Sequence, residues 1–187
     1  MNIAPITRLL VLPLLLAAAV ACDGEASTTT PGTATAGPDW PADLVTDAAP
    51  ADAQGVAAAK GTAAEGGTIV IRGRIGGSPD PFVEGRAVMT IADTDAIVDC
   101  KAMSANGSME DGCTTTWDYC CEPQDQIVAN TATVQVVDAA GRPLHRSLSD
   151  LAGLAPLAVV VVEGTVGPRP SANVLVVNAA RIYVETP

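Results

Sequence analysis

The sequence predicts a mainly β domain in which five strands close into a small barrel and one short helix interrupts them. Three observations lead there. Five segments between residues 68 and 184 read as strands, most of them alternating apolar and polar residues with period two. Clusters of Gly and Pro separate them. Only Ser147 to Leu154 carries a helical spacing.

The chain begins with an export signal. Arg8 is the only charge before Asp23, and residues 9–21 form an apolar run of h-region length. The run is too short for a membrane span, which takes about 20 residues. It ends Ala19-Val-Ala-Cys22. Ala-x-Ala is an ordinary signal-peptidase site, and a small residue followed directly by Cys resembles a bacterial lipobox, with Ala19 where that motif usually has Leu. The lipoprotein reading is preferred, because it explains Cys22, otherwise an odd cysteine in an exported chain. Residues 1–21 are then the signal peptide and Cys22 carries the lipid. Plain secretion is the alternative.

Residues 22–67 are rich in Ala, Thr, Gly, Pro and Asp. So little apolar surface cannot offset the entropy of ordering, and a disordered tether is expected. It would span roughly 35–40 Å as a coil. Trp40 and Leu44-Val45 are its only apolar grip.

The ordered domain is expected over residues 68–187. In the first strand, from Thr68, Ile69, Ile71 and Ile75 share one face and Arg72 and Arg74 the other. Arg86 to Asp93 is the second strand, with Ala87, Met89 and Ile91 in phase. Residues 94–126 form an excursion. Asn130 to Asp138 is the third strand, facing in with Ala132, Val134 and Val136. Ser147 caps the short helix, whose Leu148, Leu151 and Leu154 recur every three residues. The β-branched run from Leu157 to Val166 suits a strand buried on both sides. The last strand, Asn173 to Val184, is expected to face in with Ala180, Ile182 and Val184. This order, β-β-(excursion)-β-α-β-β, is that of an OB-fold, a five-stranded Greek-key barrel with one helix. A generic β-sandwich is the fallback.

The last two strands, Val-Val-Val-Glu-Gly-Thr-Val166 and Asn173-Val-Leu-Val-Val-Asn-Ala-Ala-Arg-Ile-Tyr-Val184, resemble those of small exported bacterial OB-fold domains. The Cys-x6-Cys-Cys block containing Trp117-Asp-Tyr-Cys-Cys121 resembles a motif of uncharacterised exported, OB-fold-like bacterial lipoproteins. The resemblance covers roughly residues 68–187. It implies the fold and an exported location, and it implies no activity.

Charge and cysteine content narrow the chemistry. The chain has a formal net charge of −11. From Asp93 to Asp125 the acids are Asp93, Asp95, Asp99, Glu110, Asp111, Asp118, Glu122 and Asp125, against Lys101 alone. These are expected as solvated acidic surface. Nucleic acid is excluded as a partner, since binding it takes Lys and Arg against phosphates and aromatic platforms for bases.

Cys100, Cys113, Cys120 and Cys121 all lie in the excursion. In an oxidising compartment an even set is expected to form disulfides. Bridging adjacent Cys120 and Cys121 strains the backbone. Two pairings remain: Cys100–Cys120 with Cys113–Cys121, or Cys100–Cys121 with Cys113–Cys120. Each closed loop contributes roughly 3 kcal/mol in the chain-entropy model. Trp117 and Tyr119 are expected as an apolar lid over the bridges and as possible contact residues.

The alternative is a metal-binding or thiol-redox protein acting through the same four cysteines, although no Cys-x2-Cys ribbon is present. The only histidine, His145, follows a turn, and no nucleophile elbow or phosphate loop occurs. The sequence therefore points to a non-enzymatic, membrane-anchored protein of the bacterial cell envelope, on its periplasmic or cell-surface face. No cofactor is expected, and the expected partner is a protein or glycan.

Overall fold

A computed structural model describes residues 40–105 and 115–185. Cys22, Cys113, the signal segment and residues 22–39 of the expected tether lie outside the described residues. Among those described, no helix is long and apolar enough to cross a membrane.

The predicted barrel is present. Its strands are β3 (Thr68–Ile75), β4 (Val88–Ala92), β5 (Thr131–Gln135), β6 (Val159–Val166) and β7 (Val176–Val184). Two short strands precede them, β1 (Val45–Thr46) and β2 (Gln54–Gly55). β3 pairs antiparallel with β4, and β4 with β5. β5 runs parallel to β7, β7 antiparallel to β6, and β6 antiparallel to β3, which closes the ring. The ring's one parallel pair, β5 with β7, arises because the chain crosses the barrel end between β5 and β6, as a Greek key requires.

Period-two alternation fixes the register of the meander. Ile71, Ile75, Met89, Ile91 and Val134 are fully buried, while Arg72, Arg74, Val88, Thr90, Thr133 and Gln135 between or beside them are less so. In β6 the residues Val160, Val161 and Val162 are buried in succession, as expected of a strand covered on both sides.

β7 departs from its expected phase. Ala180 is exposed, while Val177 and Ile182 are fully buried. Those two core residues are five apart, and strict alternation would send them to opposite faces. The register shifts between Glu163 and Gly164, so that Arg181 pairs with Glu163 and Ala179 with Gly164. Ala180 is the extra residue of a β-bulge. Gly164 makes the bulge possible, since a Cβ there would stand 2.1 Å from the Asn178 carbonyl oxygen.

The expected short helix is a single 3₁₀ turn, Leu148–Asp150. Ser147 caps it as predicted, its Oγ accepting from the Ser149 N–H. Leu148 and Leu154 reach the core. Gly153 and Pro156 follow too soon for a longer helix to propagate.

Residues 40–67 correct the expected domain boundary. They are folded onto the barrel rather than forming a tether. β1 pairs parallel with Ile182 and Tyr183 of β7, and β2 with Ile71 and Arg72 of β3. The helix α1 (Val56–Thr62) follows. Leu44, Val56 and Ala59 are buried in the main core. Complete burial of a Leu or Val contributes about 1.5–3 kcal/mol. Trp40 packs on the same core with the Arg146 guanidinium 4.5 Å from its ring centroid.

Candidate functional site

The excursion leaves β4 at Ala92 and returns at Thr131. It has a small core of its own, Ala92, Ile97 and Tyr119 with Ile127 against them. Two short helices frame it, α2 (Cys100–Ala105) and α3 (Gln124–Asn130).

Polar groups hold its backbone. Asp93 and Asp99 are buried, which corrects their expected place on a solvated surface. The Asp93 Oδ1 accepts from the Asp95 and Ala96 N–H groups at 2.9 and 3.0 Å, closing the turn out of the barrel. Its Oδ2 accepts from the Ala57 N–H at 2.9 Å, in the first turn of α1. Gly55 leaves room for it, for a Cβ there would stand 2.6 Å from Oδ2. One carboxylate thus caps a helix from outside that helix and joins it to the excursion.

Asp99 caps α2, its Oδ1 accepting from the Ala102 N–H at 2.9 Å, while its Oδ2 pairs with Arg74 of β3. A buried carboxylate is stable only when so paired. Glu122 accepts from the Val98 N–H at 3.0 Å, and Asp118 from the Cys120 N–H at 2.9 Å and the Thr115 hydroxyl at 2.7 Å. Burial alone would raise the Asp118 pKa, but these hydrogen bonds outweigh it and hold the carboxyl below its usual range.

The returning turn at Trp117 to Tyr119 lies against a glycine pair. The Gly77 N–H donates to the Trp117 carbonyl at 2.8 Å. A Cβ on Gly76 would lie 2.5 Å from the Trp117 oxygen and 3.0 Å from the Tyr119 ring.

The two aromatic residues differ from expectation. Trp117 is half-buried, and its indole N–H donates to the Pro79 carbonyl at 2.9 Å. Tyr119 is fully buried rather than a contact residue, and its backbone is left-handed with φ of 58°. Its hydroxyl lies beside the Arg74 guanidinium but makes no well-formed hydrogen bond among the described residues. Burial pushes the phenol pKa up to about 12, against the opposing charge of Arg74.

This frame brings three of the four candidate cysteines together. The Cys100 sulfur is 2.7 Å from that of Cys121 and 3.6 Å from that of Cys120, and Cys120 and Cys121 are 3.6 Å apart. No described pair is at the roughly 2.05 Å of a formed disulfide. Cys100 is buried, Cys121 half-buried and Cys120 exposed, so the cluster runs from the core to solvent. Cys100 is fixed from both sides, by the Asp99 cap before it and by its N–H donating to the Thr116 carbonyl at 3.2 Å.

Two adjoining cavities flank the excursion. One, of about 320 Å³, is lined by Arg74, Asp99, Lys101, Ala102 and Leu157. The other, of about 540 Å³, lies at the barrel end between Leu157, Val159, Val184 and Glu185, and shares Arg74 with the first. Leu157 lines both and holds a left-handed backbone, φ 69°, a strained state for a leucine. Sequence reasoning missed this groove. Its residues come from β3, α2, the loop before β6, the start of β6 and the end of β7, and no local motif joins them. His145 is exposed on the turn before the 3₁₀ helix. Compared with protein-family models, with curated proteins and with solved structures, the chain matches none.

Proposed function

We propose that this protein is an exported, lipid-anchored, non-enzymatic binding module of the bacterial cell envelope. Cys22 carries the lipid, and the barrel presents a disulfide-stapled excursion to a protein or glycan partner. The observation that carries this reading is the 2.7 Å approach of the Cys100 and Cys121 sulfurs where the excursion meets the barrel. It favours pairing Cys100 with Cys121, and hence Cys113 with Cys120, over the other arrangement. The acids near the cluster support a structural role, because Asp93, Asp99, Asp118 and Glu122 already serve backbone N–H groups. The groove around Arg74 and Leu157 is the proposed contact surface, and its larger cavity falls within the usual range of ligand sites.

The test is the intact mass of the natively exported protein, without reduction, before and after thiol alkylation. No uptake of alkylator by the domain cysteines and an acyl mass on Cys22 are expected. The variant Cys22→Ser should leave the membrane fraction. Alkylation of Cys100 and Cys121 in the exported protein would overturn the staple, and unchanged membrane partitioning of Cys22→Ser would overturn the anchor.

A further inference from the structure

We propose that Cys100, Cys120 and Cys121, once reduced, form a three-thiolate site for one soft d10 ion, Zn(II) or Cu(I). The inference rests on the stapled reading, for it concerns what the same sulfurs do when the staple is open.

The geometry is close to that of a metal site. All three sulfurs lie within 4.8 Å of one another. A Zn–S bond of about 2.3 Å in a tetrahedron sets sulfurs roughly 3.8 Å apart. Cys120 already stands 3.6 Å from each of the others. Only the Cys100–Cys121 separation, at 2.7 Å, has to widen. The donors are pure thiolate, which selects soft ions over Mg(II) or Ca(II).

The donors are also held before any ion arrives. Asp99 and Thr116 fix the Cys100 backbone, and the Asp118 carboxylate fixes that of Cys120. An entry path is present, since Cys120 lines a cavity of about 380 Å³ with Ser78, Asp118 and Gln124. Among the described residues three thiolates converge, which suits trigonal Cu(I), or Zn(II) with water as a fourth ligand.

The chemistry balances. Two equivalents of a dithiol reductant give four electrons and four protons to the two bridges, Cys100–Cys121 and Cys113–Cys120, and leave as their own disulfides. Ion binding then displaces the thiol protons to water. The oxidised form is a staple and the reduced form a metal site, so the ion is taken up only after reduction.

The test uses the full chain, reduced with a phosphine that is then removed under anaerobic conditions. Zn(II) and Cu(I) are titrated separately against a chromophoric chelator. One equivalent of at least one ion should bind, with thiolate-to-copper absorption in the Cu(I) arm. Zn(II) alone indicates the aquated tetrahedral form, and Cu(I) alone the trigonal one. Because Cys120 is exposed, Cys120→Ser should keep the far-ultraviolet circular dichroism of the parent while binding at least tenfold more weakly. Cys22→Ser should bind as the parent does. Failure of both ions to bind stoichiometrically, or undiminished binding by Cys120→Ser, would overturn the proposal. A protein that resists alkylation when exported yet binds no ion when reduced would remove this inference and leave the staple standing.

Discussion

The barrel and the excursion are built on opposite principles. The barrel is held by apolar residues in period-two strands, where each buried side chain acts without direction and neighbours share the load. Among the described residues, the excursion has four apolar residues in its own core. Carboxylates aimed at single backbone N–H groups, an ion pair and a group of sulfurs do the rest. The barrel should therefore weaken as a whole, and the excursion at particular atoms.

Amide hydrogen exchange separates the two regions. The largest effect is expected from the barrel. Ile71→Ala removes a fully buried side chain and should lower global stability by about 3–4 kcal/mol, with protection lost in all five barrel strands. Exchange restricted to β3 would show that the barrel is not one cooperative unit.

Asp99→Ala should come next, at about 2 kcal/mol, because it uncaps α2 and leaves Arg74 without its carboxylate. Protection should fall between residues 94 and 123 and hold in β6 and β7. Equal loss in β6 would erase the distinction between the regions.

The smallest effect should have the opposite sign. Tyr119→Phe deletes a buried hydroxyl that lies beside Arg74 but makes no well-formed hydrogen bond among the described residues, and should raise the excursion's stability by about 1 kcal/mol. The phenol pKa is raised to about 12 in the folded chain, against about 10 unfolded. The stability linked to it is complete below pH 10 and is lost as pH rises through 12. Excursion unfolding followed between pH 9 and 12 should show this loss in the parent and not in Tyr119→Phe. An unaltered alkaline profile in the variant would assign the loss to other groups.

The same contrast explains what could be read in advance. Ile69, Ile71 and Ile75 announced their face because alternation is a local signal. The phase of β7 was lost at Ala180, since the bulge depends on Gly164 in another strand. The order of residues 40–67 was hidden by small side chains. Ala59 belongs to a segment of small residues in sequence, yet it is fully buried in the main core. The cysteines were legible as a group. The burial of Asp93, Asp99 and Tyr119 was not, because each depends on a partner distant in sequence: Ala57, Arg74 and Gly76.

The two short strands ahead of α1 have a consequence for self-association. They occupy backbone groups of β7 near Ile182 and of β3 near Ile71 that would otherwise be bare edges. Bare edges recruit strands from other chains. A fragment cut at residue 68 would keep every strand of the barrel but carry two unfilled docking lines on its rim. A second molecule's amino-terminal segment could fill them, the exchange that produces domain-swapped dimers. A segment that reads as a linker in sequence thus covers backbone edges on which a second molecule would otherwise dock.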